Sequence, residues 1–411
     1  MIKPQTLKGF RDFLPQNVIK RQFIIDKIKK VFELYGFDPL ETPALEYAET
    51  LLGKYGNEAD KLLYLFKDRG GRNVGMRYDQ TVPLARVIAQ YKNEISFPFK
   101  RYQIQPVWRA ENPQRGRFRE FMQCDIDTVG IGGIRADTEI IACVIASIKK
   151  LGFKRAKMIV NDRTVFVHLQ PKYVAAIDKL KKIGKEGVIA ELISKGYDKN
   201  DAGKLINSFD AKKPTPHIIS LFQLLREYGL EENKDYLFDP TLARGLDYYT
   251  STIFELVADD YSSGSLGGGG RYDKLIGKFI GEDIPAVGFS FGFDRLLEAM
   301  DQLQLLPQLK SLTKVLVSVF SPEFLNISLK TVSLLRDAGI NTEIVFDTNI
   351  KLDKQLKYAD KKGIPYAAII GPDEAKENTV TLKNLKTKEQ NTMSIQNVIA
   401  ILSLSKEKQS L

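Results

Sequence analysis

The sequence predicts an α+β protein: a sheet-containing domain broken by a helical insertion, with a small α/β domain at its C-terminal end. Three observations carry this. Residues 99–129 alternate between polar and apolar side chains in two runs, the pattern of a β-hairpin. Residues 161–236 change texture, and strings such as 173–183 and 186–194 read as helix with scattered lysines. From residue 315 onward, apolar runs and helical periods take turns, the signature of strand–helix units.

Residues 16–35 predict an amphipathic helix, with Ile19, Phe23, Ile24, Ile28, Val31 and Phe32 along one stripe. Pro39 and Pro43 stop it. Strand-like stretches continue to about residue 153, and strands with glycine loops return over 239–300. The boundaries are therefore 1–160 with 237–306 for the sheet domain, 161–236 for the insertion and 314–411 for the last domain. A soft linker covers residues 305–313. The last domain reads as strand 315–320, helix 324–338, strand 343–346, helix 352–362 and strand 366–370. Lys351, Lys354, Lys357, Lys361 and Lys362 fall on or near its second helix. They are either a solvated face or contacts for RNA phosphates.

Composition narrows the function classes. The net charge of +10 over 411 residues suits a polyanionic partner such as RNA, although a lysine-rich solvated surface gives the same balance. Two isolated cysteines, Cys124 and Cys143, supply neither a disulfide framework nor a CxxC metal pair. Two distant histidines, His168 and His217, argue against a histidine triad or a His-rich zinc site. Residues 1–15 have no signal-peptide core, and no apolar run approaches membrane-spanning length, so the chain reads as cytoplasmic with no membrane partner.

The hairpin is the most informative stretch. One face of its first run carries Arg101, Gln103, Gln105, Val107 and Arg109; the second run puts Arg117, Arg119, Phe121, Gln123, Asp125 and Asp127 on the matching face. A half-buried strand normally turns such residues to water. Here the polarity is ordered, with arginines at one end, acids at the other and an aromatic and an amide between. Guanidinium groups of Arg109, Arg117 and Arg119 match phosphate oxygens. Phe121 offers a flat face for a base, while Gln123 and Asp127 offer acceptors for an amine and an imidazole N–H. The order suits a nucleotide lying beside a cationic amino acid.

Residues 108–111 (WRAE) through 116–121 (GRFREF) resemble motif 2 of the class II aminoacyl-tRNA synthetases. Residues 288–296 (GFSFGFDRL) resemble motif 3, and 35–37 (YGF) through Thr42-Pro43 resemble motif 1, which in that class helps form a homodimer interface. Residues 123–127 (QCDID), 244–249 (RGLDYY) and 268–273 (GGGRYD) are similar to the histidyl branch. On its own the glycine run also fits a hairpin turn needing positive φ. With the last domain included, the resemblance to the histidyl-tRNA synthetase family covers nearly the whole chain.

The resemblance implies a class II antiparallel β-sheet catalytic domain with flanking helices and an anticodon-binding last domain. It implies L-histidine, ATP with Mg²⁺, and tRNA(His) as partners, with metal ligands left open. It assigns ATP to Arg109, Glu111, Arg117, Phe121 and Arg295. It assigns histidine to Asp79, Thr81, Gln123, Asp127, Arg244, Tyr248 and Tyr249, with Arg244 and Arg109 the catalytic pair. Against the commonest bacterial pattern, Tyr78-Asp79 stands for Pro-Glu, Asp127 for Glu and Ala110 for His; a carboxylate is kept at the first two positions. The competing reading is an inactive regulatory paralogue serving histidine biosynthesis.

Overall fold

A computed structural model describes residues 2–55, 60–113, 117–243 and 248–410. The chain divides into two units, Met1–Asp12 with Ile24–Leu306, and Phe13–Phe23 with Pro307–Leu411. In the first unit the strands are β1 (Asp38–Pro39), β2 (Leu45–Tyr47), β3 (Leu65–Lys67), β4 (Asn73–Met76), β5 (Phe99–Trp108), β6 (Glu120–Val129), β7 (Ala156–Asp162), β8 (Tyr236–Phe238), β9 (Thr252–Ala258), β10 (Gly267–Arg271) and β11 (Ala286–Gly292). The large sheet runs β1-β5-β6-β11-β10-β9-β7-β8, and β2-β4-β3 make a small separate one. Every pairing from β5 to β7 is antiparallel, as expected; only the short edge strands β1 and β8 lie parallel to their neighbours.

Alternation gives this sheet two unlike faces. On one, Tyr102, Ile126, Phe289 and Phe291 are buried under helices. Helix α1 (Pro15–Leu34) presents Ile24, Ile28 and Phe32 at helical spacing, and the Phe32 ring lies 5.9 Å from that of Tyr102 and 6.4 Å from that of Phe291. Full burial of each such side chain stabilises the fold by roughly 1.5–3 kcal/mol. The second helix, α2 (Thr81–Tyr91), buries Val82, Leu84, Ala85 and Ile88 in a cluster with Val129, Tyr248 and Tyr272. Helix α3 (Ile134–Lys150) packs on β6, β7 and β11.

The helical region has two characters. Phe166, Ala176, Val188, Leu192, Ile206 and Phe209 enclose an apolar cluster of their own. Within it, the segment Leu180–Ser194 is broken at Gly184, whose φ of 71° favours glycine. Helix α4 (Pro216–Glu227) instead packs against α3 and β7, and His217 Nε2 lies 2.7 Å from Thr252 Oγ1 on β9.

In the second unit, β12 (Val315–Val317), β13 (Thr342–Ile344), β14 (Tyr366–Ile369), β15 (Val380–Asn384) and β16 (Gln390–Met393) form a sheet in the order β13-β12-β14-β15-β16. The first three are parallel, with α6 (Leu325–Asp337) and α7 (Leu352–Lys362) as their connections; α5 (Phe293–Gln302) precedes them in the first unit. The hairpin β15–β16 and a helix α8 (Ile395–Ser410) extend this α/β core beyond the elements read from sequence.

A buried ion pair fastens α3 to β10. Arg271 is 2% exposed; its Nε donates to Asp137 Oδ1 at 3.0 Å and its Nη1 to the Ile131 carbonyl at 3.1 Å. Thr252 Oγ1 donates to the other Asp137 oxygen at 2.6 Å. Removing one partner of such a pair leaves an uncompensated buried charge. Asp137→Ala should therefore lower stability by about 3–5 kcal/mol, read as a shift of the urea unfolding midpoint.

Candidate active site

The second face of the sheet is built from rows of residues in register. The first row is Arg101, Asp127, Gly288 and Gly270 across β5, β6, β11 and β10. The second is Gln103, Asp125, Ser290 and Gly268; the third begins Gln105, Gln123 and Gly292. Two strands thus carry full-length polar side chains while the next two carry mostly none. The step between them forms a cavity of about 400 Å³. Gly288 is required there, because a methyl group on it would stand 1.8 Å from Asp127 Oδ1. The glycine run is a central strand with no positive φ, so the turn alternative is excluded.

Asp79, Thr81, Arg109, Glu111, Arg117, Phe121, Gln123, Asp127, Tyr248, Tyr249 and Arg295 all line this cavity. Arg244 lies outside the described residues, as does part of the motif 2 loop. The polar face of the hairpin is buried rather than solvated: Arg101 and Gln103 are fully inaccessible, and Asp125 and Asp127 nearly so.

At the acidic end, Asp79 lies just ahead of α2 and accepts from the Val82 N–H at 3.0 Å, the Tyr55 hydroxyl at 3.1 Å and the Tyr248 hydroxyl at 3.4 Å. Burial raises its pKa, opposed by the Val82 N–H and by Arg109. Asp127 pairs with Arg101 Nη2 at 2.8 Å through one oxygen and accepts from the Tyr272 hydroxyl through the other. Its pKa is also raised by burial, against the pull of Arg101 and Tyr272. Asp125 is pushed up to about 7, first by burial, with Asp127 adding to the effect and Arg101 opposing it.

At the basic end, the Arg109 guanidinium lies 4.2 Å from the Tyr78 ring centre and 5.0 Å from that of Phe121, and its Nε donates to the Tyr78 carbonyl at 3.2 Å. Arg117 pairs loosely with Glu111 at 3.5 Å and is half exposed, so it remains available to an anion. Arg295, in the first turn of α5, donates to the Ser265 carbonyl at 3.4 Å. Arg119 departs from expectation. It does not line the cavity; its Nε donates to the Glu111 carbonyl at 3.0 Å and its backbone N–H to the Gly9 carbonyl at 2.9 Å, so it holds the base of the motif 2 loop.

Several residues here had no role in the sequence reading. Arg101 and Asp125 sat in the alternating polar face, which was signal enough to find them. Tyr272 and Ser290 fall inside the segments 268–273 and 288–296, whereas nothing in the sequence points to Tyr55.

Comparison with known proteins agrees along the chain. A family model described as histidyl-tRNA synthetase matches residues 9–296, and one described as an anticodon binding domain matches residues 314–404. The chain is 39% identical to the histidine–tRNA ligase of Cytophaga hutchinsonii, covering 97% of this chain and 99% of that one. It is also 39% identical to that of Rhodopirellula baltica, covering 95% of each. Among solved structures, the histidyl-tRNA synthetase of Nostoc sp. PCC 7120 superposes with a TM-score of 0.85 at 30% identity, over 98% of this chain and all of that one.

Two predictions follow from the geometry. Gly288→Ala should push Asp127 off its position and destabilise the protein by about 1–3 kcal/mol, checked by thermal unfolding. The raised pKa of Asp125 has a definite sign. Between the ordinary carboxylate range and pH 7 the native state holds a proton that the unfolded chain has lost, so rising pH favours unfolding. Stability should fall by up to about 1.4 kcal/mol per pH unit across that window. Asp125→Asn should remove this contribution when urea midpoints are compared from pH 4 to 8.

Proposed function

The chain belongs to the histidyl-tRNA synthetase family, and from that premise we propose that it activates L-histidine with ATP and ligates it to tRNA(His). The observation that carries this reading is one sheet face with arginines at one end of a cavity and buried carboxylates at the other. The first step joins a histidine carboxylate oxygen to the α-phosphorus of ATP and breaks its bond to pyrophosphate. No covalent enzyme intermediate is needed; the protein aligns two anions and offsets their charge.

In this reading Arg109 holds the α-phosphate and the substrate carboxylate, Arg117 the γ-phosphate, and Phe121 and Arg295 sandwich adenine through a flat ring and a flat cation. Arg244 stabilises charge developing on the α-phosphate. Mg²⁺ enters with ATP. Among the described residues no group of three or more side chains is placed to cage a metal ion. Mg²⁺ keeps its waters and binds mainly to phosphates, and Glu111, which lines the cavity, would be the carboxylate to hold it. When bound it offsets charge on the departing pyrophosphate.

At the other end, Asp127 with Tyr249 accepts from and orients the imidazole, while Asp79, Thr81, Gln123 and Tyr248 surround the ammonium. Buried groups made for these bonds are left unpaired by other side chains, which penalises wrong substrates. In the second step the terminal ribose hydroxyl of the tRNA attacks the adenylate carbonyl and AMP leaves.

The same reading gives 1–160 with 237–306 to catalysis, 161–236 to the insertion and 314–411 to the anticodon, in the cytoplasm. Lys351, Lys354 and Lys361 on or near α7 are exposed and available to phosphates, whereas Lys357 and Lys362 pair with Asp353 and Glu343. A homodimer through motif 1 is supported by the apolar side chains that the small sheet leaves exposed, Leu45, Tyr47, Leu65 and Phe66. No helix is long and apolar enough to cross a membrane among the described residues. The inactive-paralogue reading is not favoured, since the arginine set and the anticodon-domain match are both present.

Amino-acid-dependent ATP–pyrophosphate exchange tests the proposal. Histidine alone among the amino acids should support exchange. Arg109→Ala and Arg244→Ala should each lower the rate by roughly 10²-fold or more while folding is kept. Exchange with another amino acid, or none with histidine, sinks the reading.

A further inference from the structure

Asp125 has no part in the scheme above, yet it lines the cavity, is 2% exposed and leaves its Oδ1 without a hydrogen-bond partner. Between it and Gln123 stands Ser290, its register partner on β11. Gln123 Nε2 donates to Ser290 Oγ at 3.0 Å, and Ser290 stands directly opposite Asp125 on the same face of the sheet, its hydroxyl acting on the carboxylate. The Gln123 carbonyl oxygen, Oε1, is buried and unpartnered.

These bonds have a direction. An ionised carboxylate can only accept, so it takes the single hydroxyl proton of Ser290. The serine oxygen then has only lone pairs to offer its other neighbour, and it must meet the NH₂ side of the Gln123 amide. That choice leaves Oε1 facing the cavity. Without the charge on Asp125, the hydroxyl is free to donate to Gln123 instead. The amide then turns its NH₂ inward, where it opposes a substrate ammonium.

We propose that Asp125 is a positioning residue for substrate recognition: through Ser290 it fixes the Gln123 amide so that an acceptor, not a donor, meets the α-ammonium of the amino acid. This rests on the reading of the cavity as a histidine site and adds to it the device that sets the polarity of its ammonium subsite. The device depends on pH. Asp125 is faced by Arg101 from β5, by Asp127 on its own strand and by Arg77 and Asp79 from the segment ahead of α2. The arginines favour its ionised form and the two acids oppose it, so the relay engages as pH rises through the neutral range.

The test compares two ligands by calorimetry. Histidinol keeps the ammonium and imidazole of histidine; 3-(imidazol-4-yl)propionate keeps the imidazole and carboxylate but has no ammonium. Asp125→Asn and Ser290→Ala should each weaken histidinol about tenfold and change the propionate less than about twofold. In ATP–pyrophosphate exchange, the same variants should raise KM for histidine and leave KM for ATP unchanged. Histidinol binding by the wild type should tighten as pH rises through 7, and Asp125→Asn should lose that increment; imidazole titration is common to both proteins and cancels. Equal weakening of both ligands would mean a merely structural role and overturn the relay, as would unchanged histidinol binding in both variants. A wild-type protein that bound neither histidine nor histidinol would overturn the underlying reading of the cavity, and the relay with it.

Discussion

Arg101 and Asp127 meet across β5 and β6 where neither is reached by water, and the site is organised around that meeting. Bringing two charges into such surroundings is costly, and their attraction compensates only when the geometry is fixed and the remaining donors are occupied. Arg101 also reaches the Gln80 carbonyl and the Gln103 side chain, each at 3.3 Å, and Asp127 takes the Tyr272 hydroxyl on its other oxygen. This one cluster ties β5 to β6, to the segment ahead of α2 and to the residue that follows β10. A cavity floor pinned in this way presents its carboxylate in one orientation.

The two faces of the sheet divide the labour. The apolar face, under α1 and α3, supplies the burial that keeps the strands together. The polar face is shaped for binding at some expense of stability, because its buried charges must be paired to be tolerated. Three buried acids, Asp79, Asp125 and Asp127, share it with one fully buried cation. A ligand arriving with a positive charge improves that balance, and the arginines at the far end do the same for a ligand that is negative there.

Much of this was legible because period-two alternation is unambiguous over ten residues, and because both ligand-facing strands of the hairpin carry chemistry at every second position. Helix 15–34 was equally plain from its apolar stripe, and helices 325–337 and 352–362 from the alternation of strand and helix in the last domain. The hairpin β15–β16 escaped notice because β16 is an exposed edge strand with no apolar alternation to betray it. The glycine run was ambiguous for a physical reason: glycine fits both a turn and a strand that must leave space, and only neighbouring strands decide. Arg119 misled because alternation fixes the face a side chain leaves from, not the carbonyl it finally reaches. Ser290 lies in motif 3 but stands opposite Asp125 of the segment 123–127, a relation that only pairing of β6 with β11 creates.

That pairing joins residues 120–129 to residues 286–292. On a chain emerging from the ribosome, the first hairpin is complete long before its neighbour has been made. Until β11 docks, one flank of β6 has open backbone hydrogen bonds, and the acids beside it remain hydrated and ionise as free carboxylates do. Hydrated charges along an open strand edge disfavour its joining another such edge, so the half-built sheet carries its own safeguard during synthesis.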